Sequence, residues 1–212
     1  MTVDESTRSA RHEQAAATRR QLLAAAMEVF EERGYQGATV GAITDRANTA
    51  HGTFYLYFSN KEDAFCQAME AVIVDEFATE VMVPLTDEPR TAIEGGIGRF
   101  VAFYQRHVGL WRALLEGMLV SPRVQDLWLE LRRDMVLRLS ETFESRQRTG
   151  DARPFDPAMV AHSLAAMTEW SAFTHLVLGQ PGGDDRGPDA LVATLSDLWY
   201  RGLYGTVPED EA

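Results

Sequence analysis

Several features that would point to other classes of protein are missing from this sequence. Cys66 is the only cysteine among 212 residues, so the chain has no internal disulfide framework and no cysteine cluster for structural zinc. No run of about 18 apolar residues could span a bilayer, and residues 1–20 lack the apolar core of a signal peptide. We therefore expect a protein of the reducing cytoplasm with no membrane partner.

Catalytic and metal-binding patterns are missing as well. The sequence contains no GxSxG elbow, Walker loop, dinucleotide-binding glycine pattern or HExxH pair. His162 and His175 have no second ligand three or four residues away, which is the spacing a helical metal site requires. The sequence therefore predicts no enzyme, no metal site and no cofactor.

Positive charge is scarce and unevenly distributed. The net charge is −12 at pH 7, which argues against a general attraction to nucleic acid, because phosphate binding depends on Lys and Arg. Residues 1–61 hold seven basic and seven acidic side chains, so residues 62–212 carry the whole excess of acid. Lys61 is the only lysine. Any contact with DNA must therefore come from the small, neutral N-terminal part.

Helical periodicity dominates the chain, and we predict an all-α fold of about nine helices. After a disordered tail over residues 1–17, a first helix runs from Thr18, the start of a capping box, to a stop at Gly34. Thr39 caps a short second helix, and Asn48 supplies a sharp turn. A third helix follows over 51–58, and a fourth begins near Asn60. It ends before Pro84, and a loop follows over residues 85–89. The remaining helices are predicted at 90–107, 108–118, 122–147, 156–178 and 188–204.

Two short helices joined by a tight turn after a longer one form a helix-turn-helix, whose last helix enters the major groove. The stretch from Thr18 to Phe65, above all ATVGAITDRANTAHGTFYLYFSNKEDAF, resembles the DNA-binding domain of the TetR family of repressors. The resemblance rests on Thr39, Ile43, Ala47, Gly52, Thr53, Tyr55, Phe58, Lys61 and Glu62 at these spacings.

The resemblance implies that two regions of the chain have different functions. Residues 18–62 would bind operator DNA as a three-helix domain, and residues 63–212 would form a larger helical domain that binds an effector and pairs through its last two helices. Hydroxyl groups and glycine backbone on the third helix suit contact with phosphates, and Lys61 stands at the positive end of the fourth helix. The predicted DNA-binding residues are Thr39, Thr49, Ala50, His51, Gly52, Thr53, Tyr55, Tyr57 and Lys61.

The entrance to the third helix departs from the family pattern. Such proteins usually have Gly-Val-Ser there, whereas this sequence has Asn48-Thr49-Ala50. Because Ala50 is a poor N-cap, Thr49 is an alternative cap for the helix. His51 stands where a lysine is common, so guanine reading by lysine is excluded at that position.

Large apolar residues between Phe100 and Phe173 predict a small, apolar effector, although any one of them taken singly is better explained as packed core. The candidates are Phe100, Phe103, Tyr104, Trp111, Leu114, Met118, Trp128, Leu131, Met135, Met167, Trp170 and Phe173. The polar anchors considered are His107, Glu116, Glu169 and Thr174.

Small residues and leucines on the last two helices predict close helix approach, and hence a homodimer with two-fold symmetry. The predicted dimer residues are Ala165, Ala172, Leu191, Leu195 and Leu198. A palindromic operator also requires two recognition helices. The alternative to a ligand-controlled repressor is a helical ligand-binding or interaction protein that does not regulate DNA.

Overall fold

The computed structural model describes residues 3–73, 77, 88–179 and 187–205, which contain nine α-helices and no strand. They are α1 (Val3–Gly37), α2 (Val40–Arg46), α3 (His51–Phe54), α4 (Lys61–Ala71), α5 (Pro89–Arg106), α6 (Val108–Val120), α7 (Pro122–Arg148), α8 (Pro157–Ala172) and α9 (Pro188–Tyr204). A π-helical turn, Phe173–Val177, continues α8. The all-α prediction is confirmed, and α5 to α9 lie within a few residues of their predicted positions. No helix in these ranges is long and apolar enough to cross a membrane.

The first helix begins at Val3, so the predicted start at Thr18 is wrong and residues 3–17 are helical rather than a disordered tail. Thr18 does not cap the helix, since its hydroxyl donates to the carbonyl of Gln14 at 3.0 Å from within it. The segment has no Pro or Gly and three consecutive alanines, which favour helix continuation. Gly34 stops the regular helix as predicted, because its φ of 69° suits glycine alone.

The third helix is shorter than predicted. Regular α-helix ends at Phe54 and the chain continues as a turn through Tyr57. Asn60 caps α4, accepting from the amide of Asp63 at 2.8 Å, while Asp63 accepts in return from the amide of Ser59 at 2.9 Å. The start of α4 is as predicted, and Asp63 closes a capping box there. The predicted end of this helix before Pro84, and most of the loop over 85–89, lie outside the described residues.

The chain divides into two compact units. The first comprises residues 1–72 and 109–126, and the second residues 73–108 and 127–212. The predicted boundary at residue 62 therefore falls too early, and the first unit also includes most of α6. Side chains of α4 explain this extension, because Glu62 accepts from the Ser121 hydroxyl at 2.8 Å and Asp63 pairs with Arg123 at 2.9 Å.

Each unit has its own apolar core. In the first unit, the rings of Phe30 and Phe65 meet edge to face with centroids 4.7 Å apart. Gly109 lets α6 approach α1, since an added Cβ would lie 2.8 Å from the Cα of Glu31. The core of the second unit consists of Ile93, Ile97, Val101, Phe143, Ala161, Leu195 and Leu203.

Candidate nucleic-acid interface and ligand cavity

The turn between α2 and α3 is built around Asn48. Its φ of 49° is left-handed, as predicted, and asparagine tolerates this conformation better than most residues. The turn is closed by the amide of Thr49, which donates to the carbonyl of Thr44 at 2.9 Å. Ala50 is the N-cap of α3 and makes no side-chain cap. The alternative cap, Thr49, is wrong, because its buried hydroxyl has no hydrogen-bond partner in the described part of the chain.

The two sides of the α3 segment differ sharply in burial. Phe54 and Phe58 are buried with their ring centroids 5.2 Å apart. Tyr55 is 53% exposed and its ring lies 5.5 Å from that of His51. The remaining predicted contacts of this segment are also reachable: Ala50, His51 and Gly52 are exposed, and Thr53 and Tyr57 are half-buried. The segment therefore anchors itself by one face and presents an uncharged aromatic and hydroxyl face.

Lys61 has an internal role that sequence reasoning missed. Its ammonium donates to the carbonyl of Tyr35 at 2.7 Å and lies 4.8 Å above the Tyr35 ring. Burial lowers the pKa of Lys61 below its usual value. This lysine therefore ties α4 to the end of α1, and that bond competes with its predicted contact to a phosphate.

Arg46 of the first unit is also bound within the protein, by two glutamates. Arg46 holds Glu28 at 2.8 Å and Glu32 at 2.6 Å, and these bonds raise the pKa of Arg46 while Arg46 lowers that of Glu32. Thr39 is exposed and caps α2, accepting from the amide of Ala42 at 3.1 Å. Its hydroxyl hydrogen stays available to a phosphate oxygen, beside an open groove that Arg33 also lines.

A cavity of about 580 Å³ lies within the second unit, between α5, α7, α8 and α9. This volume lies in the range of small-molecule sites, which is about 300–1,000 Å³. The apolar lining residues are Phe77, Ala92, Ile93, Ile97, Phe100, Met135, Leu139, Phe143, Ala165, Trp199 and Leu203. The polar ones are Arg99, Arg138, Glu141, Thr142, Ser145, Arg146, Thr168, Glu169 and Tyr204. Gly96 completes the wall.

Only Phe100 and Met135 of the predicted effector residues line this cavity. Trp111, Leu114 and Met118 belong to the first unit instead. Helical spacing identifies an apolar face but not which neighbour that face packs against, and this is why the remaining predictions miss. Phe103, Tyr104 and Phe173 are buried outside the lining, Met167 packs on the core of the second unit, Trp128 and Leu131 are half-buried, and Trp170 is 61% exposed.

One of the four polar anchors considered from the sequence lies in the cavity wall. Glu169 accepts from Nε of Arg132 at 2.9 Å through Oε2, and Arg132 also lies 3.2 Å from Nδ1 of His162. Burial raises the pKa of Glu169, whereas Arg132 opposes that shift. Glu116 belongs to the first unit, where it accepts from the amide of Gln36 at 3.1 Å.

The residues predicted for a dimer interface are mostly internal. Leu195 is 2% exposed and belongs to the core of the second unit, and Ala165 and Ala172 are buried. Leu191 is half-buried against the same core. Leu195, Ala165 and Ala172 are therefore wrong as surface contacts, because they serve packing within the chain, whereas Leu191 stays a prediction. Leu198 on α9 is 47% exposed and remains a candidate contact residue. On α8, Met159 and Trp170 are also exposed.

A helix-turn-helix with one buried and one exposed face, followed by a helical unit that contains a cavity, defines the class of DNA-binding regulatory proteins with a separate C-terminal domain. Residues 22–65 match bacterial regulatory proteins of the tetR family, and residues 93–205 match the C-terminal domain of the transcriptional regulator EthR. The chain belongs to the TetR family and is a DNA-binding transcriptional regulator.

Known proteins similar to this chain agree with that assignment. The HTH-type transcriptional regulator EthR of Mycolicibacterium smegmatis is 27% identical over 190 residues, which cover 88% of this chain and 86% of that protein. A regulator from Saccharomonospora viridis, solved with choline, has a TM-score of 0.73 at 19% identity and covers 89% and 98% of the two chains. FadR from Bacillus subtilis, solved with stearoyl-CoA, has a TM-score of 0.70 at 19% identity and covers 87% and 99%.

Proposed function

We propose that this protein is a dimeric repressor that binds a palindromic operator in the cytoplasm and is released from it by a small, largely apolar molecule. Its role is regulatory rather than catalytic. DNA binding is supported by the aromatic and hydroxyl face of α3 and of the turn after it. Buried Phe54 and Phe58 hold this segment in place. The observation that supports ligand binding is the cavity of about 580 Å³ in the second unit.

Contact with DNA would depend on hydroxyl and backbone groups more than on cations. Arg46 is held by two glutamates and Lys61 by a carbonyl, which leaves Thr53, Tyr55 and Tyr57 as the donors nearest the recognition helix. Such groups position a protein on the phosphate backbone without reading sequence. A repressor of this kind should show a shallow dependence of affinity on salt, because few phosphates are neutralised by Lys or Arg.

Genomic footprinting with the purified protein tests DNA binding and locates the operator. On that operator, Tyr57→Phe should weaken binding equally for all sequence variants of the site, because a phosphate contact carries no sequence information. Tyr200→Phe is the matched control, since Tyr200 belongs to the second unit. Protected sites that never appear, even at low salt, would favour the alternative of a helical interaction protein without DNA regulation.

The dimer would be formed by the exposed apolar residues of α8 and α9. Met159 and Trp170 are separated by eleven residues, or about three helical turns, and so lie on one face of α8. Leu198 on α9 is also exposed. An exposed tryptophan is the residue type most enriched at energetic centres of interfaces. Two copies of the chain are also needed to bind the two half-sites of a palindromic operator, which lie about 34–36 Å apart.

Sedimentation over a range of protein concentrations tests this interface. Trp170→Asp should shift the protein to monomers, because the dimer would bury an unpaired charge. Leu137→Asp on α7 changes an equally exposed apolar residue, 53% against 61%, and should leave the dimer intact. Dissociation by Leu137→Asp but not by Trp170→Asp would assign the interface to α7.

Release from DNA requires that the ligand bind better to a conformation that holds the operator poorly, since equal affinity for both conformations would shift nothing. A coupling of about 1–3 kcal/mol changes operator affinity by roughly 5- to 150-fold. Reciprocity requires that operator DNA weaken ligand binding by the same factor. A ligand found by thermal shift should therefore be measured with and without the operator, and equal affinities would rule out a switch.

A further inference from the structure

The turn after α3 carries a large apolar side chain that the fold does not bury. Leu56 is 78% exposed, although Phe54 before it and Phe58 after it are buried. The amide of Leu56 donates to the carbonyl of Thr53 at 3.2 Å, and the amide of Phe58 donates to the carbonyl of Phe54 at 3.0 Å. Because the backbone is held by these bonds, the exposure of Leu56 is a fixed property of the segment. An exposed leucine forfeits the free energy that its burial would supply.

Residues around Leu56 leave room for a partner to approach closely. Ala50 and Gly52 are exposed, and a Cβ added at Gly52 would meet no atom within 4 Å. Packing within the chain therefore does not require glycine at this position. A residue without a side chain lets another molecule come close to the backbone. The segment thus combines one long apolar side chain with a low, open surface.

Side chains that read bases through paired hydrogen bonds do not occur in this segment. Arg and Lys read guanine, Asn and Gln read adenine, and Asp and Glu accept from cytosine. Residues 50–58 have the sequence AHGTFYLYF and contain none of these six residue types. The nearest amide is that of Asn48, in the turn before α3. Apart from His51, the segment offers only hydroxyl groups for hydrogen bonding, and these bond to phosphates or to more than one base.

Thymine differs from the other bases in the major groove by its C5-methyl group, and apolar side chains recognise it by contact with that methyl. We propose that Leu56 is a specificity-determining residue that packs on the C5-methyl group of a thymine in each operator half-site. This assignment rests on the proposed function, because it requires an operator, and it names a base that the operator must contain. The operator is then selected by a thymine methyl group where other recognition helices use hydrogen bonds to guanine.

Charge and position identify DNA as the partner of this exposed leucine. Residues 50–58 contain no Asp or Glu, although the chain has a net charge of −12, so the phosphates beside the groove meet no like charge from the segment. Residues 22–65 match the DNA-binding domain of the family, and Leu56 lies within that range. Tyr55 and Tyr57 stand on either side of Leu56 in the sequence, and their hydroxyls suit contact with phosphates. Phosphate contacts by these tyrosines would hold Leu56 at the base edges.

Removal of single methyl groups from the operator isolates this contact. In duplexes of the footprinted operator, each thymine is replaced in turn by deoxyuridine, which keeps the base pair and lacks only the C5-methyl group. We expect the wild-type protein to bind about fourfold more weakly when one particular thymine of a half-site is replaced, since burial of one methyl-sized group contributes about that factor. Fluorescence anisotropy measures each Kd at one fixed salt concentration, because salt alone changes affinity for DNA.

Two variants assign the methyl contact to a side chain. Leu56→Ala shortens the leucine, so the ratio of the two Kd values at that thymine should fall from about fourfold to about one. Leu119→Ala is the matched control, because Leu119 on α6 is 79% exposed and belongs to the same unit. It should keep the fourfold ratio. Each ratio is measured within one protein, so a change in folding or assembly that affects both duplexes equally cancels.

Each result supports or overturns the proposal. A fourfold ratio that persists in Leu56→Ala would overturn the role of Leu56, because another side chain would then contact the methyl group. Equal weakening of all duplexes by Leu56→Ala, with the wild-type ratios unchanged, would overturn it as well and place the leucine on the sugar–phosphate backbone. Operator binding that tolerates the loss of every methyl group would overturn thymine reading and leave the proposed function intact. Failure to bind any genomic site would overturn both.

Discussion

Replacing Lys61 with Met separates two roles for the only lysine of the chain. The ammonium makes a 2.7 Å hydrogen bond to the carbonyl of Tyr35 and lies 4.8 Å above its ring. A hydrogen bond with one charged partner contributes about 1.5–3 kcal/mol, and a cation–π contact near the surface about 0.5–1 kcal/mol. The side chain is half-buried, and the partial desolvation that lowers the pKa of Lys61 offsets part of this gain.

We expect Lys61→Met to lower the free energy of unfolding by about 1–2 kcal/mol. For a chain of this size that loss reduces Tm by about 2–8 °C. Urea denaturation at pH 7 measures it, with an unchanged m value as the sign that only stability has changed. Arg20→Met is the control, because it removes one exposed positive charge from α1 and should leave stability unchanged.

Salt dependence of operator binding decides between the two roles. A lysine held by Tyr35 releases no counterion on binding, so Lys61→Met should keep the salt slope of the wild-type protein. A lysine that contacts phosphate would lower the slope by about one unit. A shallower slope together with unchanged stability would refute the internal role and restore the contact predicted from the sequence.

Three further changes test the packing and the buried carboxylate. Gly109→Ala should cost at least about 1–3 kcal/mol in urea denaturation, because its Cβ would meet the backbone of Glu31, and unchanged stability would place α6 further from α1. Leu195→Ala should cost about 2–5 kcal/mol with no change in sedimentation, whereas dissociation without loss of stability would return Leu195 to an interface. Burial raises the folded-state pKa of Glu169 above 4.5, so its contribution to stability is fully present below that pH and is lost as the pH rises through the folded value. The stability of the wild-type protein relative to Glu169→Gln should therefore fall over that window, and a constant difference between the two would contradict the raised pKa.

Local signals in the sequence predicted the helix-turn-helix well. Thr39, Asn48 and Asn60 fix where helices begin and where the chain turns, and each acts through bonds to its own neighbourhood. Gly34 ends the first helix for the same local reason. The start of α1 was missed because Thr18 has the composition of a cap yet sits within a helix.

Long-range partners could not be predicted from spacing. Leu195 and Leu198 look alike on a helical repeat, but one lies in the core and the other at the surface. From the sequence alone Lys61 is predicted to be a free cation, whereas in the fold its ammonium bonds to the Tyr35 carbonyl. The residues that line the cavity could not be predicted from spacing either. Trp111 and Phe100 are both aromatic residues on helices, yet they belong to different units. Periodicity identifies the buried side of a helix, whereas its neighbours depend on topology.

The meeting of α1 and α6 in the first unit has a consequence for how this protein can vary. A Cβ at Gly34 would lie 2.6 Å from a carboxylate oxygen of Glu116, and one at Gly117 would lie 3.0 Å from a methyl of Val124 and 3.2 Å from the Tyr35 ring. The carboxylate of Glu116 can move away from a Cβ at residue 34, but the left-handed backbone there still excludes a side chain. Among natural relatives, residue 34 should therefore stay glycine whatever stands at position 116, whereas residue 117 can enlarge when residue 124 or 35 becomes smaller. The junction would then be fixed at one glycine by backbone geometry and vary at the other by paired substitutions.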